Sequence, residues 1–149
     1  MDNNQLKHQA VQMKQSLFEQ GYLDEMFNEI EEIHCDDPKF HEKIVNMFFN
    51  DSAQLITNIQ QALEQSPIDF SKLEKDLNKI KEITLSTGAK KVRDMSDQAI
   101  ECCLEQNVEG CKDAFEQLKT EHATLKEKLQ SYFHLARQAK AADGASGSN

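Results

Sequence analysis

Apolar side chains recur along most of this chain in steps of three and four, the spacing that places them on one face of an α-helix. Leu23, Met26, Phe27, Ile30 and Ile33 form one such stripe, over a helix expected from about Leu23 to His34. Phe40, Ile44, Phe48, Leu55, Ile59 and Leu63 form a longer one, ending near Gln65. Phe70, Leu73, Leu77, Ile80 and Thr84 define a third, from Phe70 to about Thr87. Val92, Met95, Ala99 and Cys102 or Cys103 define a fourth, from Lys90 to about Gln106. The longest is Cys111, Phe115, Leu118, His122, Leu125, Leu129, Tyr132 and Ala136, whose alternating steps of four and three are those of a bundle seam. A more polar helix from about Asn4 to Gln20 precedes them all. The pattern is wider than one stripe at Met47-Phe48-Phe49, so part of that apolar surface faces a second neighbour or a partner.

Helix ends are marked locally. Gly21 and Gly88 stand where the first and fourth helices should close, glycine being the residue that accepts the left-handed cap. Asp37 before Pro38 reads as an N-cap followed by proline at the first helical position, and Asp69 and Asn107 read as caps of the fourth and sixth helices. Connections of two to five residues make successive long helices antiparallel. The expected fold is all-α: six helices, with helices three to six as an up-and-down antiparallel four-helix bundle and the two shorter N-terminal helices covering one end. A single domain spans 1–142, and the small polar stretch 143–149 is expected to be disordered.

Composition supports this and narrows function. The 149 residues hold only five glycines and two prolines, which favours long helices over a turn-rich β architecture. Net charge is −9, which opposes binding to nucleic acid or anionic membrane. Lys79, Lys81, Lys90, Lys91 and Arg93 gather locally and read as solvated helix ends. No segment looks like a signal peptide or a membrane span, so cytosol and nucleus are the expected compartments. Cys35, Cys102, Cys103 and Cys111 contain no C-x-x-C pair and are expected to be free thiols. His34, Cys35 and His41 match no standard zinc spacing, so no metal is expected. Nor is there a nucleotide loop, a triad or a paired-carboxylate site.

The informative segment is the fourth helix, Leu77-Asn78-Lys79-Ile80-Lys81-Glu82-Ile83-Thr84-Leu85-Ser86-Thr87-Gly88-Ala89. It resembles the plant histidine-containing phosphotransfer (HPt) family, whose motif is histidine, any two residues, lysine, glycine, then a serine-rich run ending in Ile/Val-Gly-Ala. Leu23-Asp24-Glu25-Met26-Phe27, Phe48-Phe49-Asn50-Asp51-Ser52, Asp69-Phe70 and Asn107-Val108-Glu109-Gly110-Cys111 resemble further family segments, in order, between about Leu17 and Gln138. Lys81, Ser86, Gly88 and Ala89 match the motif. Asn78 stands at the histidine, Glu82 at the glycine and Ile83-Thr84 at the serine pair.

In the family, as the resemblance implies, the imidazole takes a phosphoryl group from a phospho-aspartate, which requires a nucleophilic nitrogen near neutral pH. An amide nitrogen, its lone pair delocalised into the carbonyl, cannot do this. The resemblance is therefore to the subset that keeps the fold without the chemistry. It implies a non-enzymatic protein without cofactor that docks receiver domains of hybrid sensor kinases and response regulators, competes with active carriers and damps a cytokinin phosphorelay. The degenerate phosphosite is Asn78, Lys79, Lys81, Glu82, Ser86 and Gly88. The expected docking surface is Leu23, Met26, Phe27, Ile30, Phe48, Phe49, Ser52, Asn78, Lys81 and Glu82, on a monomer. Two other readings are an active carrier using another histidine and a helical scaffold that no longer meets receivers. His122 reads as a core residue, and His8, His34, His41 and His134 lack the surrounding motif.

Overall fold

In a computed structural model, which describes residues 3–147 and side chains as far as Ala142, the chain forms six helices. These are α1 (Asn3–Glu19), α2 (Glu25–Glu31), α3 (Phe40–Glu64), α4 (Phe70–Thr87), α5 (Lys90–Leu104) and α6 (Val108–Gly147), with no strand among the described residues. The expected all-α fold is what forms.

Local chemistry fixes the ends where the sequence marked them. Asp69 Oδ1 accepts from the Lys72 amide at 3.1 Å and starts α4; Gly88, at φ 80°, stops it with its N–H bonded to the Thr84 carbonyl at 2.9 Å. Asn107 Oδ1 accepts from the Gly110 amide at 3.0 Å and opens α6. The Asp37-Pro38 signal acts one step earlier than expected. Asp37 Oδ1 binds the Lys39 amide at 2.9 Å and closes a turn, so α3 itself begins only at Phe40. α6 also runs past the expected end at Ala142, reaching Gly147. The stretch expected to be disordered is thus helical backbone to that point, and its last two residues lie outside the described ones.

α3, α4, α5 and α6 pack in sequence, each antiparallel to the next, around Ile59, Leu73, Leu77, Ile80, Val92, Phe115, Leu118 and Leu125, all fully buried. α1 departs from the expected place. It runs antiparallel along the C-terminal half of α6 rather than across an end of the bundle. The reason is length: 40 residues make α6 about 60 Å long, more than twice α4 or α5, so its distal apolar positions need another cover. Leu6, Ala10 and Leu17 supply it. The short α2 packs on the end of α4.

His122 enters the core as the sequence indicated. It is 8% exposed, lies edge-on to Phe49 with ring centroids 5.3 Å apart, and its Nε2 is 2.6 Å from Ser52 Oγ. Burial, reinforced by the nearby Lys126 charge, lowers its pKa to about 4.

Candidate functional site

The outer face of α4 carries Lys75, Asn78, Lys79, Glu82, Leu85 and Ser86, all exposed. Its inner face carries Leu73, Leu77, Ile80, Thr84 and Thr87, which alternate with them at helical spacing and hold the helix against the core. Asn78 Nδ2 donates to the Glu74 carbonyl one turn back, at 2.9 Å. The amide is therefore tied to its own helix and offers its Oδ1 outward. One turn on, Glu82 makes no ion pair among the described residues. Leu85, two turns on from Asn78, is 50% exposed, an apolar side chain on an otherwise polar strip.

The remaining motif residues prove to be structural. Lys81 leaves that face for the α5 side, where its Nζ pairs with Asp97 Oδ1 at 2.8 Å. Ser86 Oγ donates to the Ile83 carbonyl at 2.8 Å, and Thr84 Oγ1 to the Lys81 carbonyl at 2.6 Å; both stay within the helix. Gly88 is required twice over. Its φ is left-handed, and a Cβ there would lie 2.6 Å from the Phe27 backbone nitrogen and 2.8 Å from Asp24 Oδ1. The same junction is closed by the Asp24 amide donating to the Gly88 carbonyl at 2.9 Å and by Arg93 pairing with Asp24 at 2.8 Å. Asp24 also caps α2, its Oδ1 accepting from the Met26 amide at 3.0 Å. This ties the exposed Met26 to the same end of α4 as Leu85.

Most of the expected docking residues are core. Leu23, Phe27, Ile30, Phe48 and Phe49 are each 6% exposed or less, and Ser52 is fully buried against His122. The first three are sealed in because α2 lies on α4. The phenylalanine pair is buried because α3 is flanked by both α4 and α6, so neighbouring positions on its wide stripe each find a partner. Of the expected surface, Met26, Asn78 and Glu82 remain exposed and Lys81 half-exposed. Leu85 was missed, although an apolar residue seven positions after Asn78 on a polar face was a legible signal.

The local basic run is neutralised rather than merely solvated. Lys90 pairs with Asp94 at 2.8 Å, Lys91 lies 3.8 Å from Glu121, and Lys81 and Arg93 are paired as above, so that among the described residues Lys79 is the one of the five with no ion pair. The four thiols are free, with Cys103 and Cys111 buried. His34, Cys35 and His41 are not drawn into a ligand set; no group of three or more His, Cys, Asp or Glu side chains poised for a metal occurs among the described residues. Among the other histidines, His122 is buried, and His8, His34 and His134 are exposed.

A protein-family model described as the Hpt domain matches residues 43–128. The chain is 41% identical, over 97% of each partner, to a pseudo histidine-containing phosphotransfer protein 2 from rice, Oryza sativa subsp. japonica. It is 44% identical to histidine-containing phosphotransfer protein 4 of Arabidopsis thaliana, over 79% of this chain and 94% of that one. Among solved structures, a histidine-containing phosphotransfer protein from Medicago truncatula superposes with a TM-score of 0.88 at 33% identity, covering 92% of this chain and 94% of that one.

Proposed function

The chain belongs to the Hpt-domain family, whose members interact with receiver domains in two-component phosphorelays, and from that premise we propose that it docks receivers without relaying phosphate. Members of this family are mediators of phosphotransfer rather than conventional enzymes. The observation that carries the reading is the outer face of α4: where the motif requires an exposed imidazole, Asn78 presents an amide tied to Glu74, and the unpaired Glu82 stands one turn away. Neither group can accept phosphate as imidazole does, and Glu82 sets a negative charge where a phosphoryl group would arrive. The name of the rice relative, a pseudo histidine-containing phosphotransfer protein, supports the same subset.

The docking surface we infer differs from the one read in the sequence. It consists of Met26 at the start of α2 together with Asn78, Lys79, Glu82 and Leu85 on α4, an apolar pair at one end of a polar strip. Leu23, Phe27, Ile30, Phe48, Phe49 and Ser52 hold that surface in shape from beneath. By occupying receivers without passing phosphate on, the protein would lower flux through a phosphorelay, in the plant setting that of cytokinin, in cytosol and nucleus. It would do so as a monomer.

The test is a titration of the protein against a panel of receiver domains, run beside an assay with labelled phospho-receiver. Micromolar binding, about −8 kcal/mol, is expected of a transient relay contact. Leu85→Asp should weaken it at least about tenfold, since it puts a charge into the buried part of the contact. No label should reach the protein. Stable labelling of any histidine would establish an active carrier instead. Absence of binding to every receiver would leave a helical scaffold.

A further inference from the structure

Charge is unevenly placed about Asn78 on the outer face of α4. Lys75, Lys79 and Glu82 are all exposed, and none of them forms an ion pair among the described residues. Side chains of an α-helix lean towards its N-terminus. Asn78 shows that lean, since its Nδ2 reaches back to the Glu74 carbonyl at 2.9 Å. The same lean carries the Glu82 carboxylate towards Asn78, from a Cβ about 6 Å away. It carries the Lys75 ammonium away from Asn78, while Lys79 stands about 100° round the helix. Glu82 is thus the charge that bears most directly on whatever meets Asn78.

The cations that could offset it are withdrawn. Lys81, three residues on from Asn78, is held by Asp97 Oδ1 at 2.8 Å on the α5 side. Beyond it, Arg93 is taken by Asp24 and Lys90 by Asp94, both at 2.8 Å. Glu25, next to Met26, is exposed, its carboxylate accepting from the Asn28 amide at 3.4 Å, and forms no ion pair among the described residues. The half of the docking face that runs from Glu82 to Met26 is therefore acidic, and the basic side chains beside it are already paired.

We propose that this face selects a receiver by its phosphorylation state, holding the unphosphorylated form and turning away the phosphorylated one, with Glu82 as the discriminating residue. The inference rests on the docking reading above and specifies which receiver is held. An aspartate carboxylate carries one negative charge, and its acyl phosphate carries close to two. The added charge arrives opposite Asn78, where an imidazole would have met it, and so within about 6 Å of Glu82. Repulsion at that separation is about threefold in affinity in bulk water, and larger where docking excludes water. A protein built this way keeps receivers from being charged and releases those that already are.

The experiment is calorimetric titration of the full chain against one receiver domain in two states, with and without beryllofluoride, which turns the receiver's aspartate into an acyl-phosphate mimic. Both states are measured in the same magnesium-containing buffer. The bare receiver should bind about fivefold more tightly or better, and the preference should shrink as salt is raised from about 0.05 to 0.5 M. Glu82→Gln, which keeps size and helix propensity at an exposed position, should remove most of the preference by strengthening binding of the beryllofluoride form. Asp97→Asn, outside the docking face, frees Lys81 and should narrow the preference as well. Equal affinity for the two states, tighter binding of the beryllofluoride form, or a preference that either substitution leaves unmoved would overturn the proposal while leaving docking in place. Absence of binding in both states would remove the docking reading, and this inference with it.

Discussion

Replacing His122 with phenylalanine should flatten the acid limb of the protein's stability curve. In the native bundle the imidazole is buried between Phe48, Phe49 and Ser52, and its folded pKa is lowered from 6.5 to about 4, first by burial and then by the Lys126 charge. A depressed histidine means the unfolded chain binds the proton at higher pH than the folded one does. Stability is therefore complete above about 6.5 and falls as pH drops towards 4, where both states are protonated. At pH 4.5 the linkage amounts to about 2 to 3 kcal/mol, at 1.36 kcal/mol per unit of pKa difference. That is a sizeable share of the 5–15 kcal/mol typical of a domain, on the order of what would shift a melting midpoint by several degrees.

Phenylalanine removes the titration and nearly matches the ring in size. Ser52 loses one partner, but its hydroxyl can still donate to the Phe49 carbonyl at 3.3 Å, so the cost at pH 7 is about 1 kcal/mol and is offset by the added apolar burial. Urea unfolding followed by circular dichroism at pH 7, 6, 5 and 4.5 gives the stability of both proteins. Carboxylates that titrate below pH 5 affect both alike, so the difference between the curves isolates His122. That difference should widen by about 2 kcal/mol or more between pH 7 and 4.5. Parallel curves would refute the reasoning, because they require His122 to be as accessible to protons in the folded state as in the unfolded one.

Three further outcomes are expected. Burial alone would raise Glu31, yet the His41 ring 3.6 Å away and hydrogen bonds from Lys14 and Tyr132 outweigh it and hold the group at about 2. Stability from this lowered pKa is present above 4.5 and lost as pH falls towards 2, so Glu31→Gln should cost about 1–2 kcal/mol at pH 7, allowing for partial exposure, and little at pH 2, as read from denaturation curves. Gly88→Ala should cost more than about 1–2 kcal/mol, since the added Cβ meets backbone and the conformation is left-handed, whereas an equal melting temperature would mean the α2–α4 junction yields freely. Asn78→His should accept phosphate poorly beside Glu82, a like charge that repels by about 1 kcal/mol at 4 Å even in water, and Asn78→His with Glu82→Gly should accept it better at a stability cost of about 1 kcal/mol; no labelling of the double variant by phospho-receiver would place the loss outside these two positions.

The sequence by itself determined what depends on near neighbours along the chain. α4 begins and ends where Asp69 and Gly88 demand, because a cap side chain or a left-handed glycine acts on amides three or four residues away. The inward stripes of α4, α5 and α6, His122 among them, followed from helical period alone. Asn78 and Glu82 were legible as exposed departures from a motif. Tertiary structure decided everything that depends on how many neighbours a helix has. Period tells which face is apolar but not whether a second helix covers its flank, so Phe48 and Phe49 are buried together, while α2 ends at Glu31 rather than near His34 and leaves Ile33 beyond it, half exposed. Chain order gave no warning that α1 would serve the distal half of α6; that followed from α6 outlasting its partners in the bundle. Lys81 reads in sequence as a neighbour of Asn78 on one face, yet its long side chain reaches Asp97 on α5, a choice that exists only once the two helices lie side by side. A glycine motif shared with phosphate acceptors turned out to serve packing at Gly88, because contact between backbones can be read only where two segments distant in the chain meet.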